Sequence, residues 1–216
     1  MAYSVVDEEN AERKCEWRVT VDGVMLTQNF FGAAENATGG ALWDSSLVLW
    51  ESVQSRPWHG KRVLELGSGV GFLAVKLAMK GAQVVATDGD ADAMYLLRDN
   101  LKRNQIHDPA VRTAFLPWGN DVALLAAFPT KLEFDVVIGA DLIYNADFHA
   151  PLLETLQAVC SESTVLLLSY RLRHDEKEAE FLEGLQKHFD IILLREVDAT
   201  AIVLVELTRK PRSKST

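Results

Sequence analysis

Cysteine is scarce in this chain: two residues in 216, Cys15 and Cys160, far apart and with no metal-ligand spacing. That excludes a disulfide framework and leads us to expect free thiols in a reducing compartment, hence a cytoplasmic protein with nuclear access open. No apolar run approaches the roughly 20 residues that cross a bilayer. The acidic N-terminus "MAYSVVDEENAERKCEW" lacks the apolar stretch of a signal peptide, so no membrane role is expected. Positive charge is in the minority, with 22 Lys and Arg against 31 Asp and Glu and a formal charge of −9. A surface of that sign repels phosphate backbones and disfavours a nucleic-acid partner. The one basic cluster, "TRKPRSKST" at 208–216, is expected to be solvated, with 210–216 as a basic tail beyond the core. His59, His107, His149, His174 and His188 show no metal spacing, and no Ser-His-Asp arrangement is legible. Internal repeats and low-complexity linkers are absent too, so one domain spanning 1–216 is expected, and no metal.

What is present is an alternation of strands and helices. "EWRVTVDGVMLTQNF" alternates apolar and polar residues around Asp22-Gly23 and predicts a β-hairpin. A loop rich in small residues follows, so residues 1–45 read as a hairpin-and-loop extension. "SSLVLWESVQS" predicts a helix capped by Asp44 or Ser45. From "KRVLELG" to "TAIVLVELTR", residues 46–209 then read as a seven-strand core. Runs such as "VVIGA" and "VLLLS" are apolar on both faces, as strands covered on both sides must be. The stretch holding Pro129 reads as irregular, and "FDVVIGADLIY" as the fourth strand. Only "DAT" separates the last two strands, too little for a crossover, so they should pair antiparallel. The expected fold is therefore α/β: a doubly wound, Rossmann-like seven-stranded sheet with an antiparallel last strand, preceded by the hairpin.

"VLELGSGVGFLAV", residues 63–75, places Gly67, Gly69 and Gly71 where a buried strand hands over to a helix. In a doubly wound sheet ligands bind at that rim. Glycines there admit positive φ and let a ligand approach the bare backbone. A dinucleotide fingerprint would need a third glycine where Phe72 stands. The pattern is instead E-x-G-x-G-x-G, with the Glu65 carboxylate read as facing the same rim. A carboxylate there is unwelcome to a pyrophosphate and welcome to a cation, which favours S-adenosylmethionine, a sulfonium bearing an α-ammonium, over NAD. Asp88 closes the second strand 21 residues after Gly67, placed to accept ribose hydroxyls, while Asp90 is free to cap the helix that follows.

These residues resemble the class I, seven-strand S-adenosylmethionine-dependent methyltransferases, and among them the family 16 protein-lysine methyltransferases of the methyltransferase-like 21 type. "GALWDSSLVL", "VLELGSGVG", "LPWG" and "GADLIY" carry the likeness, which runs from about Trp17 to Leu207. It implies that Trp43 lies against the cofactor and that Gly67, Ser68 and Gly69 cradle its methionine part. Asp88 would hold the ribose, Trp118 flank the adenine, and Ala140 sit beside the reacting methyl. Asp141 and Tyr144 would form a D-x-x-Y element that positions an incoming lysine. The implied products are S-adenosylhomocysteine and a methylated lysine on a chaperone, an AAA ATPase or an elongation factor, with the enzyme acting as a monomer. Val70 stands where several relatives carry Thr.

The chemistry suits those types. The amine must arrive uncharged, although its ordinary pKa is about 10.4; desolvation by aromatic walls lowers it, and the Asp141 carboxylate raises it. Asp141 is therefore assigned to capture and aim. Trp43, Trp118 and Tyr170 are candidates to line a channel favourable to amines. Arg171 and Arg173 follow the fifth strand at the same rim, there either to shape substrate access or to pair with nearby acids. Methylation of arginine, histidine or a small molecule on the same fold stays open, as does an idle module that binds a partner.

Overall fold

A computed structural model describes residues 4–6, 16–29, 38–128, 133–173 and 176–211. The chain begins with a three-stranded antiparallel sheet of β1 (Ser4–Val6), β2 (Glu16–Val21) and β3 (Val24–Asn29). Asp22 and Gly23 both take positive φ, 48° and 79°, the turn whose twist matches a two-residue hairpin. The hairpin is as expected, but β1 is an addition. Its three residues pair with β2, Ser4 opposite Thr20, and are too few to show an alternation in sequence.

There follow α1 (Asp44–Val53), β4 (Arg62–Glu65), α2 (Phe72–Met79), β5 (Gln83–Asp88), α3 (Ala91–Arg103), β6 (Val111–Phe115), α4 (Asp121–Ala127) and β7 (Val136–Ala140). A 3-10 turn over Ala146–Phe148 leads into α5 (His149–Val159), and β8 (Val165–Arg171), α6 (Glu176–His188), β9 (Phe189–Val197) and β10 (Ile202–Arg209) complete the order. The large sheet runs β6-β5-β4-β7-β8-β10-β9. Strands β4 to β8 pair in parallel, and β10 lies antiparallel between β8 and β9. This is the expected doubly wound sheet with its antiparallel last strand.

Strand parity divides the core into two layers. Val63, Val136, Ile138, Leu167 and Leu204 pack with α1, α2 and α3, whereas Leu64, Val137, Leu166, Leu168 and Val205 pack with α5 and α6. Asn100 of α3 is fully buried and ties the hairpin to the core. It accepts from Thr27 N at 2.7 Å and donates to Thr27 O at 3.0 Å and to Val70 O at 2.9 Å. An unpartnered buried group costs about 1–3 kcal/mol. Asn100→Ala should therefore lower the unfolding free energy by about 3 kcal/mol or more, read from the urea midpoint. An unchanged midpoint would show that the Asn100 bonds contribute nothing to stability.

Four local expectations are corrected. Helix α1 begins after Trp43 with no side-chain cap; Asp44 lies inside its first turn and Ser45 is buried. The stretch read as irregular contains α4, capped by Asn120 Oδ1 on Ala123 N at 2.9 Å, and its seven residues are too short to display a helical period. Strand β7 stops at Ala140 because Asp141 turns to φ 57°. The basic tail is not wholly solvated. Arg209 Nη1 donates to Gln157 O and, at 2.6 Å, to Cys160 O, meeting the negative end of α5, while Lys210 Nζ donates to Gln186 O at 2.6 Å. Cys15, His174 and residues 212–216 lie outside the described residues. Cys160 is free and buried, and burial pushes its thiol up to about 12, which keeps it unreactive.

Candidate active site

The strand order reverses between β4 and β7, and a cavity of about 720 Å³ opens at their carboxyl ends. Its floor is the glycine turn. Gly67, Gly69 and Gly71 have φ of 60°, 51° and 85°, a conformation that side chains resist. Leu66 N donates to Ile138 O and Ser68 N to Thr87 O, so the neighbouring strands hold the turn in place. Of the glycines, Gly67 and Gly69 line the cavity, together with Ser68, and Gly71 does not. A Cβ at Gly71 would run into Leu97 of α3, so that glycine serves helix packing and its assignment to the cofactor is corrected.

Asp88 ends β5 at the rim. One carboxylate oxygen accepts from Gly69 N at 2.9 Å and the other from Asp90 N at 3.0 Å, which fixes both against the turn. Burial raises its pKa and the backbone donors at Asp90 and Gly69 pull the other way. Asp90 accepts from Ala93 N at 2.8 Å and caps α3, leaving Asp88 facing the cavity as expected. The hairpin builds the roof. Asn29 N donates to Gly40 O, Leu42 N to Gln28 Oε1, and the Trp43 indole N–H to Thr38 O at 3.0 Å. Thr38, Gly39, Leu42 and Trp43 thereby overhang the glycine turn.

The opposite wall comes from "LPWG" and "GADLIY". Trp118 packs over Gly67 and stands edge-on to Phe148, ring centroids 6.0 Å apart. Gly119 donates to Thr155 Oγ1 at 2.9 Å and leaves no room for a side chain against Pro151. At Gly139 a Cβ would collide with Leu142, which turns inward beneath Gly67. Asp141 N donates to Ser169 O at 2.7 Å, and its φ of 57° frees the carboxylate from strand parity. Ala140, Asp141 and Tyr144 all line the cavity, and Tyr144 lies 6.5 Å from Phe148, centroid to centroid.

Besides Gly71, two sequence-predicted residues do not reach this space. Glu65 has the parity of Val63 and is 2% exposed, under α2 rather than on the lining. Its burial pushes the pKa up to about 8, partly offset by Ser68 and the Ala74 backbone and reinforced by Asp88. Burial thus disfavours its charged form, and its side chain is off the cavity lining. Tyr170 is buried among Leu168 and Val203 in the α5–α6 layer, where burial pushes its hydroxyl up to about 12. Arg171 and Arg173 both pair with acids: Arg171 Nη2 with Asp44 at 3.4 Å, Arg173 Nη2 with Asp141 at 3.6 Å. Sequence reasoning missed Asp147 and Phe148, which complete the outer wall; an acid and an aromatic three and four residues beyond Tyr144 were the available signal.

The cavity is acidic all the same. Asp88, Asp90, Asp141 and Asp147 line it, against Arg173 as the one cation among the described lining residues. This suits a cationic ligand with ribose hydroxyls and leaves little to hold a pyrophosphate. The bare turn and the two tryptophans provide the remaining surfaces.

Comparison with known proteins agrees. The sequence model for lysine methyltransferases matches residues 27–188. Protein N-lysine methyltransferase METTL21A of Xenopus tropicalis is 37% identical over 155 residues, covering 69% of this chain and 68% of that one. The chain belongs to the lysine methyltransferase family. EEF1A lysine methyltransferase 3 of Xenopus tropicalis, 28% identical over 187 residues, covers 85% of this chain and 80% of its own length. The same fold occurs in the Thermus thermophilus 16S rRNA N2 G1207 methyltransferase RsmC, in complex with AdoMet and guanosine. That match has a TM-score of 0.65 and 19% identity, and it spans 97% of this chain and 58% of RsmC.

Burial of Glu65 has a measurable consequence for stability. An unfolded glutamate ionises near 4.5, whereas in the folded family member it holds its proton to about 8. Its contribution to stability is thus complete below 4.5 and is lost as pH rises through 8. Glu65→Gln, which never ionises, should gain in melting temperature over wild type as pH climbs from 5 to 8. A difference independent of pH would contradict the buried proton.

Proposed function

We propose that this protein transfers a methyl group from S-adenosylmethionine to a lysine side chain of another protein, with Asp141 and Tyr144 receiving the lysine. The observation that carries the reading is the shared chamber: the D-x-x-Y pair faces the glycine turn and Asp88 across one acidic, aromatic-walled cavity. Gly67, Ser68 and Gly69 would hold the methionine part, Asp88 the ribose, Trp43 and Trp118 the flat faces, and Ala140 the side of the reacting methyl. When bound, the cofactor supplies an electrophilic methyl on a positively charged sulfur, becoming S-adenosylhomocysteine once it is lost.

The chain's own contribution is alignment and exclusion of water. Holding two reactants in line is worth several orders of magnitude in rate. The Asp141 carboxylate and the Tyr144 hydroxyl can accept the amine's hydrogens, which points its lone pair into the chamber. Trp118, Tyr144 and Phe148 keep the approach apolar, which lowers the lysine pKa towards the working pH. The acidic surface suits a lysine-bearing protein rather than a nucleic acid, and we favour a translation factor or chaperone, met by a monomer in the cytoplasm. A relative named for elongation factor 1A supports the first of these.

Incubation of a heat-inactivated cell extract with the enzyme and tritiated methyl donor tests the reading. One labelled protein, with label on lysine after hydrolysis, is the expected result. Label on arginine or histidine, or none at all, would sink it.

A further inference from the structure

Arg173 is the cation that faces Asp141, and it is held there. Its backbone N donates to Glu178 Oε2 at 2.8 Å, and Glu178 is 4% exposed on α6. Its guanidinium donates to Arg171 O at 3.1 Å and reaches Asp141 Oδ1 at 3.6 Å. The Asp141 side chain is only 11% exposed, so this partner is screened less than a surface pair would be. Arg171 turns its guanidinium elsewhere, onto Thr200 O and Asp44, while its backbone N donates to the same Asp141 Oδ1 at 3.5 Å. Around the pair stand Tyr144 and Asp147 on the outer wall, Asp88 and Asp90 across the chamber, and Glu178 behind.

An unpaired carboxylate would work against the reaction. Within hydrogen-bond range it favours the ammonium over the neutral amine, and an ammonium has no lone pair to give. A carboxylate already matched by a guanidinium still accepts an N–H, while the pair as a whole is close to neutral. We propose that Arg173 is a positioning residue that cancels the Asp141 charge, so that the chamber takes the lysine as a neutral amine. The inference rests on Asp141 being the group that meets the lysine. The ammonium gives its proton to water; the freed lone pair then forms the N–C bond as the C–S bond breaks.

The test uses the labelled substrate protein from the extract, made recombinantly and supplied at saturation, where kcat reports ionisation in the enzyme–substrate complex. Between pH 6.5 and 10, Arg173→Gln should move the midpoint of the rising limb upward by about one unit, with kcat about tenfold down at pH 7 and recovering by pH 9.5. Its KM should fall, since the lysine is then held as an ammonium. Arg173→Lys should follow wild type, and stabilisation by S-adenosylhomocysteine should be the same in all three. An Arg173→Gln rate reduced by one factor at every pH, or a profile superposing on wild type, overturns the inference alone, provided Asp141→Asn is inactive. Full activity in Asp141→Asn, or no labelling by wild type, overturns the functional reading and this inference with it.

Discussion

Asp141→Ala should reduce methylation by about 100-fold or more, the loss expected when a reactant is no longer aimed, while S-adenosylhomocysteine still stabilises the variant against heat as it does wild type. The split follows from where Asp141 sits. Its backbone, at φ 57°, is pinned by the bond from its N–H to Ser169 O, which alanine retains. Its carboxylate touches Arg173 and lines the chamber, but makes no bond to the glycine turn among the described residues. Removing it leaves the cofactor cradle standing and takes away the acceptor for the incoming amine. Alanine at φ 57° adds some strain, so the thermal midpoint without ligand should fall by a few degrees. Turnover equal to wild type would remove Asp141 from the mechanism.

Asp88→Ala should have the opposite signature. It strips the partners from Gly69 N and Asp90 N, two partly buried backbone donors, at a cost of about 1 kcal/mol each. The turn that those bonds hold is the surface the cofactor lies on, and the same carboxylate is the acceptor for its ribose. Affinity for S-adenosylhomocysteine should fall by about 100-fold, and with it the thermal stabilisation that bound ligand confers. Asp88→Asn should fall between the two, since the amide keeps one acceptor and the shape. Undiminished affinity in Asp88→Ala would place the nucleoside elsewhere.

How much of this was readable beforehand depended on the kind of signal. Long buried strands such as "VVIGA" and "VLLLS" identify themselves, because nothing else is apolar on both faces over that length, and the short link before β10, residues 198–201, leaves only an antiparallel pairing. The rim residues were legible for the same reason: a strand end fixes which side of the sheet a residue emerges on. Direction was harder. Glu65 was placed at the rim from its distance to Gly67, yet parity with Val63 sends its side chain beneath α2, and parity was there to be used. Tyr170 went astray in the same way, aligned with Leu168 towards α5 and α6. Gly71 was beyond reach, since its role depends on Leu97, 26 positions later in the sequence, arriving against it. The negative field that favours a cation comes from Asp88, Asp90, Asp141 and Asp147, not from Glu65.

The central claim is that this acidic chamber receives the methyl donor's cationic scaffold and not a pyrophosphate coenzyme. Isothermal titration of the wild-type protein with S-adenosylhomocysteine, and separately with NADH, decides it. One-to-one heat with the first and none with the second is the predicted result. Uptake of NADH without any response to S-adenosylhomocysteine would contradict the account at its root.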